Sequence, residues 1–162
     1  MFTKSLNVGD QLKLIAHITF AGSSSYVGGL YHWRFYAAVS KTTSVLFDII
    51  PGADGQTGVV MVSSKPTNTT TAEQHSSHTI QVAKEFTIEQ LIGWIGLNNL
   101  DRYRFTPEGT GCRHWCVEIL KRMEGDDVVP TGSTDQFVSF LAAESKVKPS
   151  SIPEDTGHGS FY

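Results

Sequence analysis

The order of periodicities along the chain predicts an α+β fold, an antiparallel sheet of about five strands followed by about three helices packed on it. Three observations carry this. Residues up to 84 fall into short segments alternating apolar and polar positions. Residues from 87 onward carry apolar side chains at three- and four-residue spacing. Gly-, Pro- and Ser-rich stretches punctuate the two regimes at intervals suited to turns. Residues 1–145 read as a single α+β domain, and 146–162, rich in Pro, Ser and Gly, as a C-terminal extended tail.

The first strand is expected over 11–20, QLKLIAHITF. Leu12, Leu14, Ala16, Ile18 and Phe20 share one face, and only Ile15 breaks the polar one. AGSSSYVGG then reads as a loop. The second strand, 30–39, puts Trp33, Phe35, Ala37 and Val39 on one face and His32, Arg34 and Tyr36 on the other. After the turn SKTT, VLFDII at 45–50 is a third strand stopped by Pro51-Gly52. Strands at 58–64 and 78–84 follow, separated by the polar loop 65–77. Thr87-Ile-Glu-Gln90 has the form of a capping box opening a helix over about 88–98. A second helix carries Cys112, Trp115, Cys116, Ile119, Leu120 and Met123 on one face, with Thr110 as a candidate N-cap and Gly125 as a stop. A third, about 134–145, opens at a second capping box, Ser133 to Gln136.

The chemistry-bearing segment is GTGCRHWCVE at 109–118. Cys112 stands where a glycine-rich loop enters a helix, so free amides and the positive end of the helix dipole favour a thiolate there and suit an oxyanion beside it. Cys116 lies one turn on and reads as core. A thiolate nucleophile needs a proton acceptor, and His32 on its strand is the best candidate, with His17 on a neighbouring strand and His114 on the nucleophile's own helix behind it. Asp48, a carboxylate in an apolar strand, is the candidate third group that orients the imidazole. A two-residue turn after strand 30–39 would set Asp48 opposite Phe35. A three-residue loop or a bulge would shift the register by one and bring it beside Arg34 and His32, with an Arg34–Asp48 ion pair as the competing outcome.

The order of these residues resembles that of the circularly permuted papain-like cysteine hydrolases and acyltransferases. HWRFYAAV is similar to the early histidine strand of their lecithin–retinol acyltransferase and desumoylating-isopeptidase branches. Tyr103-Arg-Phe followed by GCRHW resembles their tyrosine-preceded Asn-Cys-x-His-Phe segment. Gly111 stands here where that pattern has Asn. The chain is also similar to uncharacterised fungal proteins with HWRF-like and GCRxW-like segments. The resemblance covers about residues 30–122 and implies Cys112 as nucleophile, His32 as base, and a peptide, isopeptide or acyl substrate. The alternative is a non-catalytic binding module on the same fold, with Tyr26, Tyr31 and the Phe161-Tyr162 end as partner anchors.

Composition excludes other classes. A chain of 162 residues, 40% hydrophobic and 18% charged, can bury a sizeable core. Thirteen Lys+Arg against 16 Asp+Glu, a net charge of −3, leaves no basic stripe, so no nucleic-acid partner is expected. There is no apolar run of roughly 18 residues, hence no expected transmembrane segment. The opening MFTKSLNVGDQLKL lacks a signal-peptide core, which predicts a cytoplasmic location. Two cysteines make no disulfide framework. Cys112, His114 and Cys116 cannot all point one way from one helix, and His75 and His78 form no ligand pair, so no metal is expected. PEGTG at 107–111 lacks the lysine of a phosphate loop, so no nucleotide or other cofactor is expected. Asn68-Thr-Thr fits a glycosylation sequon, expected to be silent without a leader.

Overall fold

The computed structural model describes residues 1–24, 29–66 and 76–162. The expected anchor Tyr26, the sequon at Asn68 and the histidine His75 lie outside the described residues. The fold is α+β. Strands β1 (Phe2–Ser5), β2 (His17–Ser24), β3 (Tyr31–Ala38), β4 (Ser44–Pro51), β5 (Gly58–Lys65) and β6 (Ser76–Gln81) form one sheet in the order β1-β5-β4-β3-β2-β6. Every neighbouring pair is antiparallel except β1 with β5, which is parallel. Four helices lie among the described residues: α1 (Val8–Gln11), α2 (Ile88–Leu97), α3 (Cys112–Gly125) and α4 (Ser133–Val147). A second, two-stranded sheet pairs β7 (Tyr103–Arg104) with β8 (Ser160–Phe161).

The core forms between the large sheet and the helices. Phe35 of β3 stacks on Phe47 of β4 at 4.8 Å and on Trp115 of α3 at 5.7 Å. Phe137 of α4 meets Phe20 at 4.8 Å and Trp33 at 5.9 Å. All six rings are buried. Ile88, Leu91 and Ile95 of α2 fill the space beside them. The helix opens as expected: Thr87 Oγ1 accepts from the Gln90 N–H and Gln90 Oε1 accepts from the Thr87 N–H.

The structure corrects several expectations. The first strand of the sequence reading begins at His17, not at residue 11. Leu12 and Leu14 are 74% and 51% exposed, while the apparent exception Ile15 is buried and its N–H bonds the Phe86 carbonyl. Ala21–Ser24, read as loop, continue β2: β3 pairs with all four residues, and β6 flanks Ala21 and Gly22 on the other side. The last strand of the large sheet spans 76–81 rather than 78–84. The strand β1 and the short α1 were not anticipated; β1 is exposed along its length and so lacks an alternating pattern.

Helix α3 is capped by Gly111 at φ +139°, while Thr110 bonds back to Thr106, and the left-handed residue that ends the segment is Asp127 rather than Gly125. The second capping box does not form. Ser133 donates its hydroxyl to the Pro130 carbonyl, and the Glu124 carboxylate takes the N–H groups of Gly132 and Thr134 at 2.6 and 2.7 Å. A carboxylate outcompetes a hydroxyl at a helix N-terminus because its bonds are charge-assisted and the dipole favours it.

Gly22 of β2 lies opposite Trp33, and a Cβ there would come within 2.8 Å of the indole. Gly22→Ala is therefore expected to destabilise the fold by about 1–3 kcal/mol, since the buried ring cannot move aside without disturbing Phe137. Urea unfolding of the variant against wild type checks this, and an unchanged midpoint would mean the ring has room to shift.

Candidate active site

The sheet opens between β3 and β4, and the opening builds the site. Their pairing runs from Ala38 with Ser44 to Phe35 with Phe47 and stops. Beyond that point β3 pairs only with β2, down to Tyr31, and β4 only with β5, out to Pro51. The N-terminus of α3 enters the gap. Cys112 Sγ accepts a hydrogen bond at 3.3 Å from the N–H of Trp33, on the strand side that β4 has left.

The turn decides where Asp48 falls. The Val39 and Ser40 N–H groups both bond the Thr43 carbonyl, which makes a three-residue loop of Ser40, Lys41 and Thr42. Continued past Phe35–Phe47, that register sets Asp48 beside Arg34, on the His32 face. His32 Nε2 and Asp48 Oδ1 are 2.5 Å apart, with side chains only 23% and 16% exposed. The Arg34 guanidinium is 4.0 Å from the other carboxylate oxygen and donates to Ser23 Oγ at 2.7 Å. Asp48 thus serves the imidazole first and the guanidinium second.

Cys112 completes the group: with its sulfur held by the Trp33 N–H, it lines the same cavity as His32 and acts on the charge of the imidazole. With Nε2 held by Asp48, Nδ1 is the ring nitrogen left for the thiol. Burial alone would push the imidazole's pKa down. The hydrogen bonds to Asp48 and Cys112, and the negative charge each can carry, outweigh burial and raise it to about 10. The three residues expected from sequence, Cys112, His32 and Asp48, are therefore brought together.

The other candidates lie elsewhere. Cys116 is fully buried, and burial pushes its thiol well above the ordinary value. His17 sits at the far end of β2, opposite Ala38. His78 stacks on Phe137 and Phe140, and burial pushes its imidazole down. His114 faces away from the thiol; it stacks on His158 at 4.6 Å and lies 3.0 Å from the Tyr103 hydroxyl. Among the described residues no group of three His, Cys, Asp or Glu side chains is arranged to hold a metal. No helix there is long and apolar enough to cross a membrane.

Sequence reasoning missed what holds the loop before Cys112. The Tyr103 hydroxyl, fully buried, bonds the Gly111 carbonyl at 2.9 Å and accepts from the Gly159 N–H at 3.0 Å. A Cβ on Gly159 would come within 2.4 Å of that ring, so the tail lies against the tyrosine only as glycine. Arg113 donates to the Pro153 and Glu154 carbonyls and to Thr156 Oγ1. The sequence signal for this was the Gly-His-Gly spacing in the tail, which reads equally well as a flexible end. Of the expected aromatic anchors, Tyr31 bonds Ser151 through its backbone, Phe161 packs edge-on against Tyr103 at 4.8 Å, and Tyr162 is exposed beside Arg104.

Comparison with known proteins gives one match. The family model described as Domain of unknown function (DUF7770) covers residues 14–162. No curated protein and no solved structure matches the chain.

Two outcomes follow from the geometry. Iodoacetamide at neutral pH is expected to label Cys112 well before Cys116, read by peptide mapping of folded protein, because the first lines an open cavity and the second is sealed in the core. Equal slow labelling of both would count against an accessible nucleophile. The raised His32 pKa also has a signed consequence for stability. Its contribution is full below the unfolded value of about 6.5 and is lost as pH climbs toward about 10. The stability gap between wild type and His32→Asn should therefore narrow between those pH values. A gap independent of pH would show that the imidazole is not held protonated.

Proposed function

We propose that this chain, which belongs to the DUF7770 family, is a cysteine-dependent hydrolase or acyltransferase acting on an amide, isopeptide or ester bond. The observation that carries the reading is the His32 imidazole held between Asp48 and Cys112, with the sulfur at the first residue of α3. The resemblance of the HWRF and GCRHW segments to the permuted papain-like enzymes supports the same assignment of roles.

The chemistry runs in two halves. The Cys112 thiolate attacks the substrate carbonyl carbon, a C–S bond forms, and the carbonyl oxygen becomes an oxyanion. The first-turn amides of α3 have no intrahelical acceptors and are suited to stabilise that oxygen. As the intermediate collapses, the C–N or C–O bond breaks and the His32 imidazolium gives its proton to the leaving amine or alkoxide. Water, or an acceptor amine or alcohol, then attacks the thioester and passes its proton to His32. The C–S bond breaks, and the thiolate–imidazolium pair is restored. Asp48 holds the ring with Nδ1 toward sulfur and stabilises its positive charge.

The test uses p-nitrophenyl acetate turnover together with mapping of any acyl adduct. Cys112→Ala should abolish both, and His32→Asn should slow turnover by about 10²–10⁴-fold. Asp48→Asn should move the alkaline limb of the pH–rate profile to lower pH. The thiolate attacks while its proton rests on His32, and without the carboxylate the burial of the ring is less opposed. Turnover that survives intact in Cys112→Ala would refute the reading.

A further inference from the structure

The Cys112–His32 pair opens onto a cavity of about 190 Å³, well below the roughly 300–1,000 Å³ of pockets that hold drug-sized ligands. Apolar side chains dominate its lining: Leu30, Tyr31, Trp33, Pro51, Ile152 and Pro153. The last two come from the tail, so one wall is supplied by the chain's own C-terminal segment.

That wall is anchored along its length. Where α4 ends, the Ile152 N–H bonds the Lys148 carbonyl at 2.8 Å. The Tyr31 N–H, next to the catalytic histidine, bonds the Ser151 carbonyl at 2.8 Å, so the tail adds to β3 where β4 has departed. Arg113, adjacent to the nucleophile, grips Pro153, Glu154 and Thr156. Further on, Gly157 and Gly159 approach Thr110 and Arg104 too closely for any side chain, and β8 pairs with β7. Ile152 itself is 1% exposed. A segment tied at both ends, with Ile152 buried between the ties, has the properties of a fixed wall.

We infer that Ile152 is the specificity-determining residue of the Cys112 site, and that the tail wall restricts the site to esters or amides of small, neutral, apolar acyl groups. The inference rests on the hydrolase or acyltransferase reading for its substrate. The charge preference follows from Arg113. Its guanidinium is spent on three tail oxygens and is not offered to an anionic acyl group, while exposed Glu108 stands at the cavity lining and repels one. The size preference follows from Ile152, whose truncation removes the part of the wall that shortens the cavity.

Two readouts on the full chain separate this inference from the reading beneath it. The first is the rate of p-nitrophenyl acetate, succinate monoester and octanoate hydrolysis. The second is the rate of Cys112 alkylation by iodoacetamide and by the bulkier N-phenyl iodoacetamide, followed by intact mass, which needs no turnover. Wild type should favour acetate over both other esters and iodoacetamide over the phenyl reagent. Ile152→Ala should raise the octanoate-to-acetate ratio and the phenyl-to-iodoacetamide ratio by at least about tenfold, and Ile152→Val by less. Should Ile152→Ala fail to fold, Ile152→Val and Ile152→Met carry the comparison, with Val raising and Met leaving or lowering both ratios. A shift in the alkylation ratio without hydrolysis in any form would sustain the wall and overturn the hydrolase reading. Ratios unchanged across folded variants, or succinate preferred over acetate, would overturn the inference whatever the activity.

Discussion

The early end of the β3–β4 ladder is the constraint on which the site depends. Two antiparallel strands joined by a three-residue loop could pair along their full length, yet pairing stops at Phe35–Phe47 while each strand continues with its other neighbour. Each vacated backbone group needs a new partner, since an orphaned buried amide costs about 1–3 kcal/mol. The Trp33 N–H finds one in Cys112 Sγ and the Tyr31 N–H in the Ser151 carbonyl. The gap therefore does two jobs with one backbone edge: it seats Cys112 and it docks the tail. The stacked rings of Phe35, Phe47 and Trp115 mark the closed end of the opening and hold α3 against the sheet.

Electrostatics follow from that geometry. His32 and Asp48 project from strands that have begun to part, so their side chains meet across the gap at 2.5 Å, partly shielded from water. Burial opposes charge on the ring, and Asp48 and Cys112 together reverse the balance. Arg34 occupies the remaining side of the carboxylate at 4.0 Å and is itself tied to Ser23, which limits its competition with His32. Tyr103 fixes the other partner: by holding the Gly111 carbonyl and the Gly159 N–H it sets the loop from which Cys112 starts its helix.

Much of this was legible in the sequence where one physical rule dominates. The Trp33, Phe35 and Ala37 face, the Thr87–Gln90 capping box and the helical spacing from Cys112 to Met123 all read directly. The position of Asp48 hinged on one loop residue, and sequence could state both outcomes without choosing, because SKTT is compatible with two loop lengths. Elsewhere tertiary context overrode local pattern. Gly22, Ser23 and Ser24 are poor strand formers, held in β2 by pairing with β3 and, at Gly22, with β6 as well, and Gly22 is needed there because Trp33 lies against it. Ser133 lost its capping role to Glu124, a helix away. The tail, read as flexible or docked, is fixed by contacts to Tyr31, Tyr103 and Arg113 that no local window contains.

Nitrogen-15 NMR of the labelled histidine ring reads directly whether Asp48 and Cys112 together hold His32 as an imidazolium. Both His32 nitrogens are expected to carry protons at pH 8 and to keep them until the pH nears about 10, and Asp48→Asn is expected to lower the midpoint. A His32 ring that titrates near the unperturbed value of about 6.5, in wild type and in Asp48→Asn alike, would contradict it.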